Sequence, residues 1–201
     1  MTLNYQLVKE KKLKLNFPSD LFIDGNYHKS ISKKSFDNIS PIDGKIINQI
    51  SFAQQPDIDK AVSSGRKAFE KGHWSNMPPG QRKKILLKFA QLIERDRLEL
   101  SLLDTIDMGK TINDTYNADL PTSIDNIEWY AEIIDKLFDD ISPSSKEYMG
   151  LITKEPIGVV AAIVPWNYPL WMAIWKIAPA LITGNSVILK PAEQSPMSAI
   201  K

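Results

Sequence analysis

The sequence contains no cysteine and only two histidines, and both shortages limit the kinds of catalytic and metal site that it can form. Without cysteine, these 201 residues cannot supply a disulfide, a thiolate metal site or a cysteine nucleophile. The histidines, His28 and His73, lie far apart in the sequence and lack the spacing of metal ligands. We therefore predict no metal site.

Long apolar runs and an excess of one charge are also missing. No apolar run approaches the roughly 20 residues that span a bilayer, so we predict no membrane partner. The N-terminus has no apolar stretch followed by a small-residue cleavage site, and with nothing pointing to export we predict a cytoplasmic protein. The net charge of +1 gives no electrostatic reason to expect nucleic acid.

The chain does have the composition of a globular protein, with 43% hydrophobic and 24% charged residues. Its lysine-rich residues 1–19 predict a flexible arm. Residues 20–142 predict β-hairpins followed by helices, because Asp43-Gly44 between alternating segments is typical of a hairpin turn. Residues 143–156 predict a segment with an exposed strand.

Residues 157–201 carry the most informative pattern. A continuous apolar, β-branched run is typical of a parallel strand that is covered on both faces. A turn with two prolines ends it, because proline removes backbone donors, and a helix and a second buried-type strand follow. The predicted strand, turn, helix and strand lie at 158–164, 165–169, 170–183 and 186–189. They predict a right-handed parallel βαβ unit.

Polar side chains follow both predicted strands. Asn167 follows the first strand, and Lys190 and Glu193 follow the second. Ligands of such sheets bind beyond the carboxyl ends of the strands, so we expect a shared crevice. A carboxylate there suits ribose hydroxyls and repels a 2′-phosphate, which favours NAD over NADP. No G-x-G-x-x-G lies in this unit, so these residues alone indicate only an α/β nucleotide site.

The motifs resemble the N-terminal half of the NAD-binding domain of aldehyde dehydrogenases. PWNYP at 165–169 matches the family's Pro-Trp-Asn-aromatic-Pro turn, and ITGNSVILKPAEQSP at 182–196 matches the next strand and its ribose-contacting turn. Further matches are LFIDGNY at 21–27, ISPIDGKII at 39–47, GHWS at 72–75, LLDTIDMGK at 102–110, WYAE at 129–132 and KEPIGVVAAIVPWN at 154–167. Within the family, the chain is most similar to bacterial enzymes that oxidise γ-glutamyl-aminobutyraldehyde and related aminoaldehydes.

The resemblance implies an α/β fold with an incomplete Rossmann-like parallel sheet, and it assigns roles to eight residues. Asn167 matches the amide that, with the backbone N–H of the nucleophilic Cys, holds the oxyanion of the thiohemiacetal. The residues that match positions bordering or contacting NAD are Ile163, Val164, Pro165, Trp166, Lys190, Ala192 and Glu193. Alternatives remain open: Asn167 could bond its own turn, Trp166 could be a core aromatic, and Lys190 and Glu193 could form a solvated ion pair.

The resemblance also implies parts that these residues do not contain. In the family the Cys nucleophile, the Glu that activates water and the turn that receives the pyrophosphate come later, so the catalytic domain is absent here. We therefore predict a truncated aldehyde dehydrogenase chain, inactive alone, from an enzyme that converts an aldehyde, NAD and water to a carboxylate and NADH. The aldehyde could be an aminoaldehyde.

The alternative function is a non-catalytic fragment, either an NAD-binding remnant or an interaction partner of full-length relatives. Residues 148–154 match a strand that joins an oligomerisation sheet in the family. An intact relative is therefore expected to form a homo-oligomer, while assembly of this fragment is left open.

Overall fold

The structure is a computed structural model that describes residues 4–201. Its strands are β1 (Leu21–Ile23), β2 (Asn26–His28), β3 (Ser35–Ile39), β4 (Ile46–Ser51), β5 (Asp140–Ser142), β6 (Gly150–Ile152), β7 (Val159–Ile163) and β8 (Ser186–Lys190). Its helices are α1 (Tyr5–Leu13), α2 (Gln55–Glu70), α3 (Pro79–Arg95), α4 (Arg97–Met108), α5 (Ile112–Asp114), α6 (Leu120–Ile133), α7 (Pro169–Ile182) and α8 (Met197–Ile200). A π-helical turn (Thr115–Asp119) precedes α6, and a 3₁₀ turn (Ile134–Lys136) follows it.

The N-terminal segment, predicted to be a flexible arm, contains helix α1. The side-chain oxygen of Asn4 accepts hydrogen bonds from the backbone amides of Gln6 at 3.0 Å and Leu7 at 3.3 Å, which caps the first turn. Lys11 in the last turn forms an ion pair with Glu99 of α4 at 2.7 Å. The cap and the ion pair are the physical reason that this lysine-rich segment is helical.

Two antiparallel hairpins form in the N-terminal region, where the sequence predicts β-hairpins. β1 and β2 pair around Asp24-Gly25, whose φ angles of 54° and 75° are those of a two-residue hairpin turn. β3 and β4 also pair antiparallel, but their loop is longer than a two-residue turn at Asp43-Gly44. The Ser40 N–H donates to the Lys45 carbonyl at 2.8 Å, so the loop includes all the residues between them.

The helices hold the hydrophobic core. It is built mainly from α3, α6 and α7, and its buried residues are Leu86, Ala90, Ile93, Leu100, Leu120, Ile124, Ile127, Ala131, Leu170, Ile174, Ala178 and Ile182. The amphipathic pattern of residues 81–99 predicts one long helix, but α3 ends at Arg95 and a separate helix, α4, begins at Arg97. The pattern between 111 and 120 did not predict α5 or the π-helical turn.

Arg82 is buried, although its position on α3 predicts a solvent-facing side chain. It is 7% exposed, and its guanidinium donates to the carbonyls of Ile182 at 2.8 Å, of Ser75 at 3.4 Å and of Met77. Ile182 is the last residue of α7, so Arg82 satisfies a carbonyl that the helix itself leaves without a donor. The guanidinium thus joins α3 to the crossover helix of the sheet.

We expect Arg82→Met to destabilise the chain by about 3 kcal/mol, because the carbonyls of Ile182 and Met77 lose a charged donor in a buried contact. Urea unfolding of the purified chain measures this change. Lys84→Met, on the exposed face of α3, is the control, with a change within about 0.5 kcal/mol. Equal losses for both variants would contradict the capping role.

The predicted parallel βαβ unit consists of β7, α7 and β8. The strands pair in parallel from Val159 opposite Ser186 to Ile163 opposite Lys190. A Cβ atom at Gly65 of α2 would lie 3.3 Å from Val159 Cγ1, so α2 packs closely on the start of β7. The prediction of full coverage on both faces is wrong, because α2 leaves Ala161 and Ile163, further along the same face, exposed.

A third hairpin, which is exposed, joins β5 to β6 in antiparallel register. The sequence predicts a strand over 148–154, and β6 is its central part, whereas β5 was not predicted. Large apolar side chains on this hairpin and beside it are solvent-exposed: Phe138, Ile141, Tyr148, Met149, Leu151 and Ile152. Across residues 4–201, no helix has the length and apolar character needed to cross a bilayer.

Candidate nucleotide-binding edge

The two polar turns lie side by side at one end of the parallel sheet. The last paired residues of the strands are Ile163 and Lys190, and the Val164 N–H donates to the Lys190 carbonyl at 3.2 Å. Beyond the strands, the Ser195 hydroxyl donates to the Trp166 carbonyl at 2.8 Å. The carboxyl ends of β7 and β8 therefore form one edge, as parallel pairing requires.

Ser195 makes a contact that local sequence reasoning missed. Its position before Pro196 predicts a helix N-cap for α8, but α8 has Pro196 at its N-cap and no side-chain cap. The hydroxyl instead ties the second turn to the first, and the side chain is 1% exposed. The partner is 29 residues away in sequence, so no local pattern could have indicated it.

The Asn167 side chain is exposed at this edge. Within residues 4–201, its amide makes no hydrogen bond, either to its own turn or to another element. The backbone around it is fixed, because Tyr168 is the N-cap of α7 and its carbonyl accepts from the Met172 N–H at 2.9 Å. The amide can therefore donate to a ligand without breaking an existing bond, which disfavours the alternative of a turn-stabilising Asn.

Lys190 and Glu193 form an ion pair at the same edge, with side chains 51% and 54% exposed. The hydrogen bond from Lys190 lowers the pKa of Glu193, so this carboxylate is ionised at neutral pH. Only Oε1 of Glu193 is engaged within the described part of the chain. The Lys190–Glu193 ion pair that the sequence left open as an alternative is therefore present. It leaves the second carboxylate oxygen of Glu193 available to a hydroxyl group.

The other predicted cofactor neighbours differ in exposure. Ile163 is 75% exposed and Trp166 53%, so Trp166 is not the core aromatic that the sequence left possible. Pro165 is exposed as well. Val164 and Ala192 are 4% and 7% exposed, so each offers little surface to a ligand.

Two buried carboxylates of α4 lie behind the edge. Asp107 accepts from the Met197 N–H at 2.8 Å and from Asn38 Nδ2 at 2.7 Å, so it joins α8 and the β3–β4 hairpin to α4. Burial raises the pKa of Asp107 to about 6 and that of Asp104 to about 7. Asp104 Oδ1 has no hydrogen-bond partner within residues 4–201. The same residues contain no group of three or more His, Cys, Asp or Glu side chains arranged for a metal.

The sequence profile described as "Aldehyde dehydrogenase family" matches residues 27–201. The chain belongs to the aldehyde dehydrogenase family. It is 43% identical over 193 residues to the NADP/NAD-dependent aldehyde dehydrogenase PuuC of Escherichia coli K12, covering 96% of this chain and 39% of that enzyme. It is 38% identical over 187 residues to the aminoacetaldehyde dehydrogenase of Pseudomonas aeruginosa, covering 93% of this chain and 38% of that enzyme.

Solved structures of aldehyde dehydrogenases superimpose on this chain over nearly its whole length. The γ-glutamyl-γ-aminobutyraldehyde dehydrogenase of Burkholderia cenocepacia has a TM-score of 0.95 at 43% identity, covering 98% of this chain and 40% of that one. The indole-3-acetaldehyde dehydrogenase of P. syringae, in complex with NAD⁺ and IAA, has a TM-score of 0.95 at 45% identity, covering 99% and 40%. These likenesses confirm the predicted family and α/β fold class. The chain spans about two fifths of the length of these aldehyde dehydrogenases.

Proposed function

We propose that this chain supplies the NAD-facing sheet edge and the oxyanion-binding amide of an aldehyde dehydrogenase. The reaction is the oxidation of an aldehyde, with NAD and water, to a carboxylate and NADH. The observation that carries the proposal is the Ser195–Trp166 hydrogen bond of 2.8 Å, because it holds the turn of Asn167 against the turn of Glu193. One edge can then meet the two ends of a dinucleotide.

The described residues fit NAD chemically. Glu193 offers an ionised carboxylate to ribose hydroxyls, and Lys190 beside it offers a donor. Ile163 and Trp166 offer exposed apolar surface near Asn167, where the nicotinamide would lie. NAD, when bound, supplies the hydride acceptor. Val164, Pro165 and Ala192 would border the cofactor.

Asn167 would act as a donor to the aldehyde oxygen. Its neutral amide is exposed and unengaged within residues 4–201, while Pro169 and the first turn of α7 fix the backbone beside it. A preorganised donor of this kind stabilises negative charge that develops on the oxygen in the transition state. The nucleophile comes from outside these residues, because the sequence contains no cysteine. We therefore expect the 201 residues by themselves not to oxidise aldehydes.

The proposed ribose contact predicts that Glu193→Gln relaxes discrimination against NADP. The glutamine keeps the size and an acceptor oxygen but removes the charge that repels a 2′-phosphate, so we expect NADP to gain about ten-fold relative to NAD. Titration of each nucleotide into the purified chain, followed by calorimetry, measures the two affinities. Glu147→Gln, an exposed carboxylate outside the edge, is the matched control. An unchanged preference would count against the assignment.

The proposal also covers the substrate class of the complete enzyme and its location in the cell. The relatives include enzymes named for aminoacetaldehyde and for γ-glutamyl-γ-aminobutyraldehyde, and we propose an aminoaldehyde as the substrate of the complete enzyme. Relative turnover of aminoaldehydes and propanal by an active enzyme containing this segment tests the choice. We also propose a cytoplasmic location, which fractionation of the source cells tests.

A non-catalytic role as an interaction partner is favoured by one observation, the exposed β5–β6 hairpin. Ile141 and Leu151 are each 67% exposed on it. Strands with such edges pair readily with other chains, so we propose that this hairpin joins subunits in an intact relative and can join this chain to one. Co-elution of the chain with a full-length relative in size exclusion tests the role. Separate elution at micromolar concentrations would argue against it.

A further inference from the structure

The partly buried ammonium group of Lys110 lies over the ring of Tyr168, the residue that follows Asn167. Lys110 Nζ donates to both carboxylate oxygens of Asp119, at 2.7 and 2.6 Å. The same ammonium lies 4.0 Å from the centroid of the Tyr168 ring. The side chains of Lys110 and Asp119 are 24% and 4% exposed, so this pair is set into the fold and is not a solvated surface contact.

Two irregular backbone features bring the pair together. Gly109, with φ 72°, ends α4 in the left-handed region and turns the chain so that Lys110 points back into the fold. Asp119 is the last residue of the π-helical turn that precedes α6. Single π-helical turns are rare and are found frequently at functional sites.

The Tyr168 ring is held by two side-chain contacts. The ammonium of Lys110 lies over the ring, and the Trp171 ring meets it edge-on with centroids 5.1 Å apart. A cation at this distance from an aromatic face is attracted by the ring's negative face, and partial burial strengthens the attraction. The ring can therefore not swing out without losing both contacts.

Asn167 depends on such neighbours for its position, because its own side chain has no partner within residues 4–201. The Ser195–Trp166 bond fixes the residue before it, and the Tyr168 ring fixes the residue after it. We propose that Lys110, oriented by Asp119, is a positioning residue that holds the Asn167 turn through the Tyr168 ring. The inference rests on the proposed function in one respect: the position of the Asn167 turn affects catalysis only if the Asn167 amide binds the oxyanion.

The competing explanation is that Lys110 and Asp119 form an ordinary structural ion pair. Variants that change the charge of Lys110 and Asp119 distinguish this explanation from a positioning role. Removing Lys110 alone would leave Asp119 as an unpaired buried carboxylate and destabilise the whole chain. The double variant Lys110→Met/Asp119→Asn removes the cation without leaving that charge. Lys110→Arg keeps a cation that can both pair with Asp119 and stack on the ring.

The test is amide hydrogen exchange, followed by NMR, on the purified chain without nucleotide. The reporter is the Met172 N–H, which donates to the Tyr168 carbonyl at 2.9 Å. In the double variant we expect its exchange to be about ten-fold faster, with lower backbone order parameters at Asn167 and Tyr168. The Ile127 amide of the core should exchange as in the parent chain, and Lys110→Arg should restore Met172 to within about two-fold.

Two results would overturn the inference. One is unchanged exchange at Met172 in the double variant. The other is equal acceleration at Met172 and Ile127, which is the behaviour of a merely structural pair. Because no nucleotide is present, a failure of NAD to bind the parent chain would contradict the proposed function and leave this result standing.

Discussion

Asn167→Ala is expected to lower aldehyde turnover by about 10²–10³-fold while the affinity for NAD changes by less than about two-fold. The amide donates to an oxygen that gains negative charge only as the reaction proceeds, so its loss raises the barrier and leaves ground-state binding almost unchanged. Asn167→Asp should cost more than the alanine, because a carboxylate would repel the same oxygen.

The measurement needs an active enzyme, which a chimera can provide. Residues 1–201 would be joined to the remaining part of the E. coli relative, which is 43% identical over 193 residues of this chain. The unsubstituted chimera gives the reference rate, and Asn26→Ala, an exposed amide in β2, is the matched control. Turnover and NAD affinity that fall together by the same factor would contradict an oxyanion role and favour a general loss of site structure.

Asp104→Asn is expected to stabilise the chain increasingly as the pH rises. Burial raises the pKa of Asp104 from its ordinary value of 3.8 to about 7, and Asp107 and Asp119 raise it further, whereas the Ser198 hydroxyl and the Leu170 N–H oppose the shift. The folded chain thus holds a proton that the unfolded chain releases above about pH 4. The contribution to stability is complete below that pH and is lost as the pH rises through about 7.

The size of this effect follows from the shift. Each pKa unit corresponds to about 1.4 kcal/mol, so the penalty in the parent chain reaches about 4 kcal/mol above pH 7. Asparagine has no proton to lose. The difference in unfolding free energy between variant and parent should therefore grow by about 2–3 kcal/mol between pH 5 and pH 8.5.

Urea unfolding of both chains at constant ionic strength measures this difference. Asp125→Asn, the same carboxylate-to-amide change on the exposed face of α6, is the matched control. A difference for Asp104→Asn that does not change with pH would show that this carboxylate is already ionised in the folded chain. The result matters for the site because the Leu170 N–H at the start of α7, directly after the Asn167 turn, acts on the pKa of Asp104.

Local features of the sequence predicted the site's backbone well. The β-branched run before Pro165 and the prolines at 165 and 169 defined β7, its turn and the start of α7, because each acts within a few residues. The parallel pairing of β7 with β8 followed from the crossover helix, and it placed Asn167 and Glu193 at one edge. The motifs that resemble the family then predicted chemical roles for these residues, and those roles stay predictions.

Contacts between distant residues could not be predicted in this way. Arg82 donates to a carbonyl 100 residues away, and Asp107 accepts from an amide 90 residues away. The helical period of the sequence assigns such residues to one face of their helix. It does not predict which buried polar group that face contacts in the folded chain. The π-helical turn that places Asp119 was missed for the related reason that its residues show neither a helical nor a strand period.

The most direct test of the account is NMR titration of the ¹⁵N-labelled chain with AMP and with nicotinamide mononucleotide. The two halves of NAD should affect different turns of one edge, so AMP should shift the amides of Ala192 and Glu193, and nicotinamide mononucleotide those of Trp166 and Asn167. NAD itself should shift all four at the same concentration. Shifts confined to the basic face of α2 around Arg66 and Lys67, or none at either turn up to millimolar nucleotide, would contradict a shared nucleotide edge.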